Sequence, residues 1–324
     1  MPENAASDRA RRLLGWFVAG FLLALVAQSY FALQSEDRWA GLLRVGSENP
    51  LLPQIEAELG PLHPMGAIGH DGQLSYLIAR DPLNRHDTAG RMRELDQAPY
   101  RYRRILYSLL AGGFGLLPGG LTLAGLVLWA AIGVGLGAAA VADVGERLSL
   151  PAWPVPASLL NLGVLLSAVL LTADALAVGL GLMGLALVGR GRTRMAVLVL
   201  VLAGLTKETY LLFAWGAGLW LWLDGKRRSG LAVAVVPTVA LAGWSLFAFS
   251  TTGDLAPGFH HFVLPGTGIA AAVPVWLASQ PVVATFVAGA GLVLIVVGSL
   301  VVAALTRDRL LAICCAAWAI LGLA

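Results

Sequence analysis

The feature that most constrains this chain is the alternation of long apolar runs with short polar joints. A helix of about 20 apolar residues can cross the ~30 Å hydrocarbon core of a bilayer, because it satisfies its own backbone hydrogen bonds there. Charged residues make up only 13% of the chain, against about 25% in average soluble domains, so a soluble helical protein would lack the polar faces it needs. The sequence therefore predicts an all-α, polytopic integral membrane protein with about nine transmembrane helices. The apolar runs cover approximately residues 13–33, 121–143, 156–172, 174–189, 195–206, 209–223, 230–249, 281–305 and 310–324.

Basic residues in the joints predict how these helices are oriented, since cytoplasmic loops carry an excess of Lys and Arg. Residues 1–12 are basic and precede the first run, which we interpret as a retained span and not as a cleaved signal peptide. With a cytoplasmic N-terminus, simple alternation brings all five basic clusters to the cytoplasmic side, provided that residues 105–117 do not cross. These thirteen residues rise only ~20 Å as a helix, so they are predicted to form a short re-entrant or interfacial helix on the outer side. The clusters are Arg9, Arg11 and Arg12; Arg147; Arg190, Arg192 and Arg194; Lys226, Arg227 and Arg228; and Arg307 and Arg309.

This topology makes the outer face of the membrane the predicted place of any chemistry. The long loop 34–104 and the loop 250–280 become external, and together they contain all five histidines. Three later spans, 174–189, 195–206 and 209–223, are short and have ionisable residues at their outer turns. Short helices with charged turns favour a cavity that dips into the outer leaflet, because irregular backbone at that depth must be buried in protein or wetted.

Residues 70–82 predict an amphipathic helix that lies on the membrane surface. Pro82 ends this helix, and Asp71 stands where an N-cap residue would. Asp71 therefore has two possible roles, as the residue that caps this helix or as a catalytic carboxylate. One face of the helix carries Leu74, Leu77 and Ile78, and the opposite face carries Gln73, Tyr76 and Arg80.

Three arginines follow in the segment 100–107, on the side of the membrane where arginine is least expected. Two interpretations stand side by side for Arg101, Arg103 and Arg104. One is contact with lipid headgroups, since arginine side chains extend to the interface at helix ends. The other is a phosphate clamp, because a guanidinium binds phosphate oxygens with two parallel hydrogen bonds.

Ionisable residues also interrupt the apolar region further along the chain. Lys207 and Glu208 are adjacent and project about 100° apart on a helix, so they need not pair with each other. A charge costs ~2.5–3.5 kcal/mol at mid-bilayer, which favours a role in a cavity over an interfacial helix end. Asp174, with Thr172 before it, is predicted first of all to cap the helix that follows.

A pair of histidines, His260 and His261, lies in the second external loop. Two ligands fall short of a metal site, so the pair is interpreted as a substrate-loop or interfacial feature. The net charge of +3 follows from the basic joints, and no binding to nucleic acid is predicted.

Four features, taken in order, make the chain similar to the GT-C superfamily of polytopic glycosyltransferases, which use polyprenyl-phosphate sugars. The first is a membrane span followed by a long loop with Asp-Gly-Gln-x-x-Tyr-x-x-Ile-Ala-x-Asp-Pro, from Asp71 to Pro82. The second is Tyr-Arg-Tyr-Arg-Arg-Ile-Leu-Tyr at 100–107. The third is the acidic turn 172–174, and the fourth is Leu-Thr-Lys-Glu-Thr at 205–209. The likeness spans about residues 14–225 and is strongest to bacterial membrane proteins linked to cell-surface glycopolymer formation.

The resemblance implies a mechanism. Asp71 is then the base that deprotonates an acceptor hydroxyl, which attacks the anomeric carbon of the sugar and inverts it. Arg103, Arg104 and Lys207 are the implied binders of the lipid phosphate that leaves. No cofactor is assigned, and a divalent cation, Mg²⁺ or Mn²⁺, is left open. Further candidates for the substrate site are Gln73, Tyr76, Arg80, Asp81, Arg101, Tyr102, Asp174, Glu208, His260 and His261.

The implied enzyme is a mannosyltransferase-like hexosyltransferase of the cell membrane. Its expected partners are a polyprenyl-phosphate-linked sugar, membrane lipids, and a glycan, lipid or protein acceptor. The GT-C-like module would cover residues 13–225, and residues 226–324 would add further transmembrane helices, with the apolar tail 310–324 leaving a truncated C-terminus open. Two other functions stay open: a transporter or flippase of a lipid-linked substrate, favoured by the charged turn 207–208, and a non-catalytic partner in cell-envelope assembly.

Overall fold

The described part of the chain is all-helical, as predicted. The computed structural model describes residues 2–93, 95, 98–149, 154–159 and 161–252, together with 297, 300, 301, 308–310, 312, 313 and 315. Within these residues there is no β-strand, and an isolated antiparallel bridge joins Val45 to Gly69.

Three helices are long and apolar enough to cross a membrane: Ser7–Gln34 with 28 residues, Gly119–Arg147 with 29 and Arg227–Thr252 with 26. Large apolar side chains also cover their outer surfaces; Val26, for example, is 65% exposed. Such a surface suits lipid and not water, so the chain has the character of a membrane protein. The count of about nine spans stays a prediction.

Thirteen α-helices and two short 3₁₀ helices make up the described fold. The 3₁₀ helices are Arg38–Leu43 and Glu208–Tyr210. The α-helices are α1 (Pro2–Gln34), α2 (Leu52–Leu59), α3 (Asp71–Arg80), α4 (Thr88–Met92), α5 (Ala98–Arg103), α6 (Ile105–Ala111), α7 (Gly119–Arg147), α8 (Pro154–Leu159), α9 (Leu162–Val169), α10 (Asp174–Gly189), α11 (Thr193–Thr206), α12 (Leu211–Leu223) and α13 (Arg227–Thr252).

One predicted helix is interrupted. The apolar run 156–172 forms two short helices, α8 and α9, and not one continuous helix. Asn161 lies between them and accepts a hydrogen bond from the Val164 backbone N–H (3.2 Å), so it caps α9. An asparagine favours this N-cap role over a helix interior, because its short side chain competes for backbone hydrogen bonds. The runs 281–305 and 310–324 fall almost entirely outside the described residues.

The segment 105–117 contains a helix of only seven residues, α6. At 1.5 Å per residue it rises ~10 Å, far less than a bilayer core. Gly113, Phe114 and Gly115 follow with positive φ angles of 53°, 62° and 82°, which turn the chain back before α7 begins. Tyr107 fastens α6 to α7, since its hydroxyl donates to the carbonyl of Leu126 (2.8 Å). The re-entrant or interfacial placement itself stays a prediction.

Helices α1 and α7 pack antiparallel at the centre of the bundle. Arg9, near the start of α1, pairs with Asp143, near the end of α7. Gln28, near the end of α1, donates its Nε2 to the carbonyl of Val127 at 3.2 Å. The same Nε2 lies 2.9 Å from the carbonyl of Ala168, so a buried glutamine ties α1 to both α7 and α9.

Helices α7 and α10 run parallel. Gly133 of α7 lies against Ala175 at the start of α10, and Asp143 pairs with Arg190 just beyond its end (Oδ2 to Nε, 2.7 Å). Small residues let the two backbones approach closely, as in many membrane helix pairs. A Cβ on Gly133 would lie 2.5 Å from the carbonyl carbon of Ala175.

These directions give the bundle two distinct ends. The first is called the arginine end, because ion pairs cluster there. These pairs involve residues of four of the five basic joints: Arg9 and Arg12, Arg147, Arg190, and Asp308 of the last joint. The other end contains the folded loop 34–104. Helix α13 contacts this loop, because Trp244 Nε1 donates a hydrogen bond to the carbonyl of Tyr102 (2.8 Å). The arginine end is defined by Arg9, Arg12, Arg147 and Arg190 and by Asp143, Glu146 and Asp308, which pair with them.

The α7–α10 contact predicts different outcomes for two glycines of the same helix. Gly133→Ala is expected to lower the free energy of unfolding by about 1–3 kcal/mol, because the added methyl group overpacks the contact. Gly145→Ala has open space around it and should be neutral or stabilising by up to ~1 kcal/mol through helix propensity. Thermal unfolding of both variants in detergent checks this; equal shifts would contradict the packing.

Candidate functional site

Asp71 begins α3, and its carboxylate is held by a helix 30 residues further on. His70 occupies the N-cap position with an extended backbone, and neither residue makes a side-chain capping bond. The capping interpretation of Asp71 is therefore wrong. Its Oδ2 lies 2.7 Å from Arg101 Nη1 of α5, while 41% of the Asp71 side chain stays exposed. A charge-assisted bond is roughly twice as strong as a neutral one, which explains why the carboxylate takes the guanidinium as its partner.

The polar face of α3 is buried, so the interpretation as a surface amphipathic helix is also wrong. Gln73 is only 1% exposed. Its Oε1 accepts hydrogen bonds from the Gly46 N–H (3.1 Å) and Asn49 Nδ2 (2.6 Å), and its Nε2 donates to the carbonyl of Ile68 (2.6 Å). The loop that precedes α3 folds over it and satisfies its polar groups, which removes α3 from the surface.

Tyr76 and Arg80 complete this buried face by binding Glu58 of α2. The Tyr76 hydroxyl donates to Glu58 Oε2 (2.5 Å), and Arg80 Nε lies 2.8 Å from the same oxygen. Burial, followed by the hydrogen bond to Glu58, raises the pKa of Tyr76 well above its ordinary value. Both side chains therefore stabilise the folded loop through Glu58, and they lie further along the helix than Asp71.

Asp81 and Tyr102, two further candidates, serve the same structural purpose. Asp81 is 5% exposed and accepts hydrogen bonds from the backbone N–H groups of Arg85 (2.7 Å) and His86 (2.9 Å) and from Thr88 Oγ1 (2.9 Å). The Tyr102 hydroxyl donates to the carbonyl of Asp81 at 2.9 Å. These bonds order the chain between α3 and α4 and position α5 beside α3.

Glu208 binds two of the predicted phosphate-clamp arginines. Arg104 forms a bidentate pair with it (Nε to Oε2 3.0 Å, Nη2 to Oε1 2.8 Å), and Arg103 Nη2 lies 3.4 Å from Oε1. All three side chains are largely buried, at 12–14% exposed. Burial by itself raises the pKa of Glu208, but Arg104 and Arg103 outweigh it, so the pKa lies below its ordinary value. Glu208 therefore stays ionised at neutral pH.

The ring of Tyr100 lies within this cluster. The guanidinium carbons of Arg104 and Arg103 lie 4.1 Å and 5.1 Å from the ring centroid, within the range of cation–π attraction. Arg103 Nε is buried without a hydrogen-bond partner among the described residues. The arginines are thus fixed by protein groups before any ligand is bound.

Asp174 and Lys207 form a second charged pair, which joins the start of α10 to the end of α11. Lys207 therefore pairs with Asp174 and not with adjacent Glu208, which agrees with the expectation that the two neighbours need not pair with each other. Neither Thr172 nor Asp174 caps α10, which corrects that interpretation: Ala173 holds the N-cap position without a side-chain bond. The Ala175 N–H instead donates to Ser167 Oγ (2.9 Å).

A cavity of about 890 Å³ begins at these charged groups and continues along the helices. Asp71, Asp174 and Lys207 line its polar part. Its apolar wall includes Val178, Leu182 and Leu185, which follow one face of α10 at the i, i+4, i+7 spacing. From residue 174 to residue 185 that face extends ~17 Å. A cavity therefore lies beside the charged turns of these short helices, as predicted, whereas its position in the outer leaflet stays a prediction.

A second, smaller pocket shares Asp71, Thr172 and Asp174 with this cavity. Arg101 and Arg104 line it as well. The carboxylates of Asp71 and Asp174 therefore lie at the junction of a mostly apolar cavity and a small charged pocket. Among the described residues around this junction, the cations Arg101, Arg103, Arg104 and Lys207 pair with the carboxylates of Asp71, Asp174 and Glu208.

The structure thus brings together part of the predicted set. Gln73, Tyr76, Arg80, Asp81 and Tyr102 support the fold of the loop, whereas His260 and His261 lie outside the described residues. Polar residues that were not among the predicted site residues also line the large cavity: His70, Asn161, Ser167, Thr172, Thr209 and Tyr210. Thr172 and Thr209 lie inside the quoted motifs, and His70 and Tyr210 lie directly beside them, whereas no sequence signal pointed to Asn161 and Ser167.

Among the residues that the structure describes, no group of three or more His, Cys, Asp or Glu side chains could hold a metal ion. Comparison with known proteins yields no match to a family model, to a curated protein or to a solved structure. The likeness to the GT-C superfamily is therefore an expectation that depends on the motifs at 71–82, 100–107, 172–174 and 205–209.

Proposed function

We propose that this chain is a membrane glycosyltransferase that transfers a sugar from a polyprenyl-phosphate donor to an extracytoplasmic acceptor. One observation carries the proposal: the carboxylate of Asp71 lies where an apolar cavity meets a small pocket lined by Arg101 and Arg104. A polyprenyl-phosphate sugar has an apolar chain, an anionic phosphate and a polar sugar joined in that order. The apolar wall of the large cavity matches the lipid chain, and the cations beside Asp71 match the phosphate.

The apolar wall of the large cavity would take the start of the lipid chain. Val178, Leu182 and Leu185 present a continuous surface along α10, and Phe213 of α12 contributes to the same lining. Burial of a hydrocarbon chain stabilises a complex by about 0.8 kcal/mol for each CH₂ group. The chain would therefore supply much of the donor affinity and place the phosphate at the charged end.

Arg101 and Lys207 are the cations that we assign to the donor phosphate. Arg101 pairs with Asp71 and Lys207 pairs with Asp174, and both pairs are partly exposed at the edge of the large cavity. A phosphate that bound Arg101 would replace Asp71 as its partner and release the Asp71 carboxylate. Arg103 and Arg104, which sequence reasoning assigned to the phosphate, hold Glu208 instead, and Arg104 also lines the smaller pocket.

Asp71 would then act as the general base. One of its oxygens takes the proton of the acceptor hydroxyl while the hydroxyl oxygen forms a bond to the anomeric carbon. The bond from that carbon to the phosphate oxygen breaks on the opposite side, so the anomeric configuration is inverted and polyprenyl phosphate leaves. Arg101 and Lys207 stabilise the negative charge that develops on the leaving oxygen.

We propose further that the chain crosses the cell membrane about nine times, that its N-terminus is cytoplasmic, and that its site faces the extracytoplasmic side. Its support is the separation of charges between the two ends of the bundle. The arginine end contains residues of four basic joints, whereas Asp71 and its partners lie at the other end. The positive-inside rule favours the arginine end as the cytoplasmic one.

Turnover of a defined donor tests the proposal. The purified chain, reconstituted in nanodiscs, is given each of a panel of polyprenyl-phosphate hexoses together with a mixture of glycan and alkyl-glycoside acceptors. We expect at least one donor to be consumed, with equal amounts of polyprenyl phosphate and transferred or hydrolysed sugar. A panel in which donors bind but none is consumed would contradict the proposal.

A flippase for a lipid-linked sugar is the second candidate, because the same cavity would hold such a lipid without reacting. It would move the intact lipid across the bilayer and leave the sugar–phosphate bond unbroken. The fate of that bond therefore separates the two functions.

A further inference from the structure

A second cavity, of about 310 Å³, lies at the arginine end of the bundle, between α1, α7 and α10. Met183, Leu187 and Arg190 contribute to its lining from the α10 side. They project from a different face of α10 than Val178, Leu182 and Leu185, which line the large cavity. The two cavities are therefore separate, and the proposed transfer reaction uses only the first.

The charged part of this cavity is strongly basic. Arg9, Arg190 and Arg192 line it together with a single acid, Asp143, so three cations face one carboxylate and two positive charges are left in excess. Asp143 is already shared between Arg9 and Arg190. Arg192 has no ion-pair partner in the described part of the chain.

Arg9 offers a hydrogen-bond donor that the protein does not use. Its Nε is buried and lacks a hydrogen-bond acceptor among the described residues, and Glu146 Oε2 lies 3.7 Å from it, beyond hydrogen-bond distance. A buried guanidinium N–H without an acceptor is costly. An anionic oxygen placed in the cavity would satisfy this donor and balance the excess charge.

The start of α11 adds a further attraction for an anion. This helix of 14 residues begins at Thr193, directly after Arg192, and has no side-chain cap. Its first backbone N–H groups lack intrahelical partners and carry partial positive charge. Phosphate groups bind readily at such helix ends.

The remainder of the cavity is apolar and would suit a lipid better than a free ion. Leu13, Met183 and Leu187 form part of its wall. An anionic phospholipid presents a phosphate next to the start of two acyl chains, which matches a basic rim above apolar side chains. Basic pockets between transmembrane helices on the cytoplasmic side bind anionic headgroups in this way.

We infer that the cavity at the arginine end binds the phosphate headgroup of an anionic phospholipid, with Arg9, Arg190 and Arg192 as its cationic ligands. The bound lipid would join the start of α1 to the turn between α10 and α11. The site is independent of the glycosyltransferase proposal and would be present if that proposal failed.

Lipid binding by two arginine variants tests the inference. The full chain is delipidated in detergent and titrated with phosphatidylglycerol or with phosphatidylcholine of the same acyl chains, and bound lipid is measured by native mass spectrometry. We expect Arg192→Gln to weaken phosphatidylglycerol binding about tenfold, because it removes a charge-assisted bond. Arg194→Gln is the matched control, since Arg194 lies in the same joint and is exposed but does not line the cavity; its binding should be nearly unchanged.

Three outcomes would overturn the inference. Equal binding of the two phospholipids by the wild-type chain would exclude recognition of the anionic headgroup. Equal losses in both variants would assign the effect to general surface charge. A third arm measures thermal unfolding with inorganic phosphate alone. If phosphate stabilised the chain as much as phosphatidylglycerol does, the ligand would be a free anion and not a lipid. Unchanged thermal unfolding of Arg192→Gln in phosphatidylcholine shows that the variant folds.

Discussion

Asp71→Asn is expected to lower turnover of the polyprenyl-phosphate donor by about 10²–10⁴-fold, the usual contribution of a positioned general base. The amide has almost the same shape as the carboxylate and can still accept a hydrogen bond from Arg101, so the fold and the donor cavity should persist. It cannot take a proton from the acceptor hydroxyl. The rate of polyprenyl phosphate release measures the loss, and donor affinity is expected to change much less than the maximal rate.

Glu36→Gln is the matched control for this substitution. Glu36 lies in the same predicted external loop, is 78% exposed and, among the described residues, pairs only with His63 on the surface (Oε2 to Nε2, 3.2 Å). It should transfer sugar at the wild-type rate. If Asp71→Asn reacted as fast as Glu36→Gln, Asp71 would not be the base, and the site would need another proton acceptor.

Glu208→Gln is expected to destabilise the fold by about 3–5 kcal/mol, the cost of removing one partner from a buried ion pair. Arg103 and Arg104 would remain buried without the carboxylate that now neutralises them. Chemical or thermal unfolding in detergent measures the change. Asp224→Asn is the matched control: its pair with Lys226 has a similar separation (2.7 Å) but is 46–60% exposed, so it should cost no more than ~1 kcal/mol.

The pH dependence of stability has a definite sign at Glu208. Because its pKa lies below the ordinary value of 4.5 in the folded chain, its contribution to stability is fully present above the unfolded pKa. That contribution is lost as the pH falls through the lowered folded pKa. The difference in stability between wild type and Glu208→Gln should therefore shrink in acid; a constant difference would contradict the buried pairing.

Much of the helical framework could be predicted from the sequence, because apolar length is a local property. Helices α1, α7 and α13 coincide with long uncharged runs, and α10 ends where the run 174–189 ends. Asn161 shows the limit of this reasoning. Its effect on the run 156–172 depends on one side chain reaching the Val164 N–H, which hydropathy does not detect.

The site was harder to predict, since its pairs join residues far apart in sequence. Asp71 and Arg101 are 30 residues apart, Asp174 and Lys207 are 33 apart, and Arg104 and Glu208 are 104 apart. The residue types indicated charge chemistry at one face, but nothing local determines which acid binds which base. The periodicity of α3 predicted a surface helix, which is wrong for a related reason. The polar face of α3 contacts Asn49 and Glu58 of the folded loop instead of water.

The fate of the sugar–phosphate bond tests the central claim most directly. Sealed proteoliposomes are loaded with a polyprenyl-phosphate hexose labelled with ³H in the lipid and ¹⁴C in the sugar, and alkyl-glycoside acceptor is supplied on both sides. The glycosyltransferase proposal predicts that the two labels separate with the wild-type chain, that they stay together with Asp71→Asn, and that the transferred sugar has an inverted anomeric configuration. Movement of both labels across the bilayer as one intact lipid would contradict it and identify a flippase.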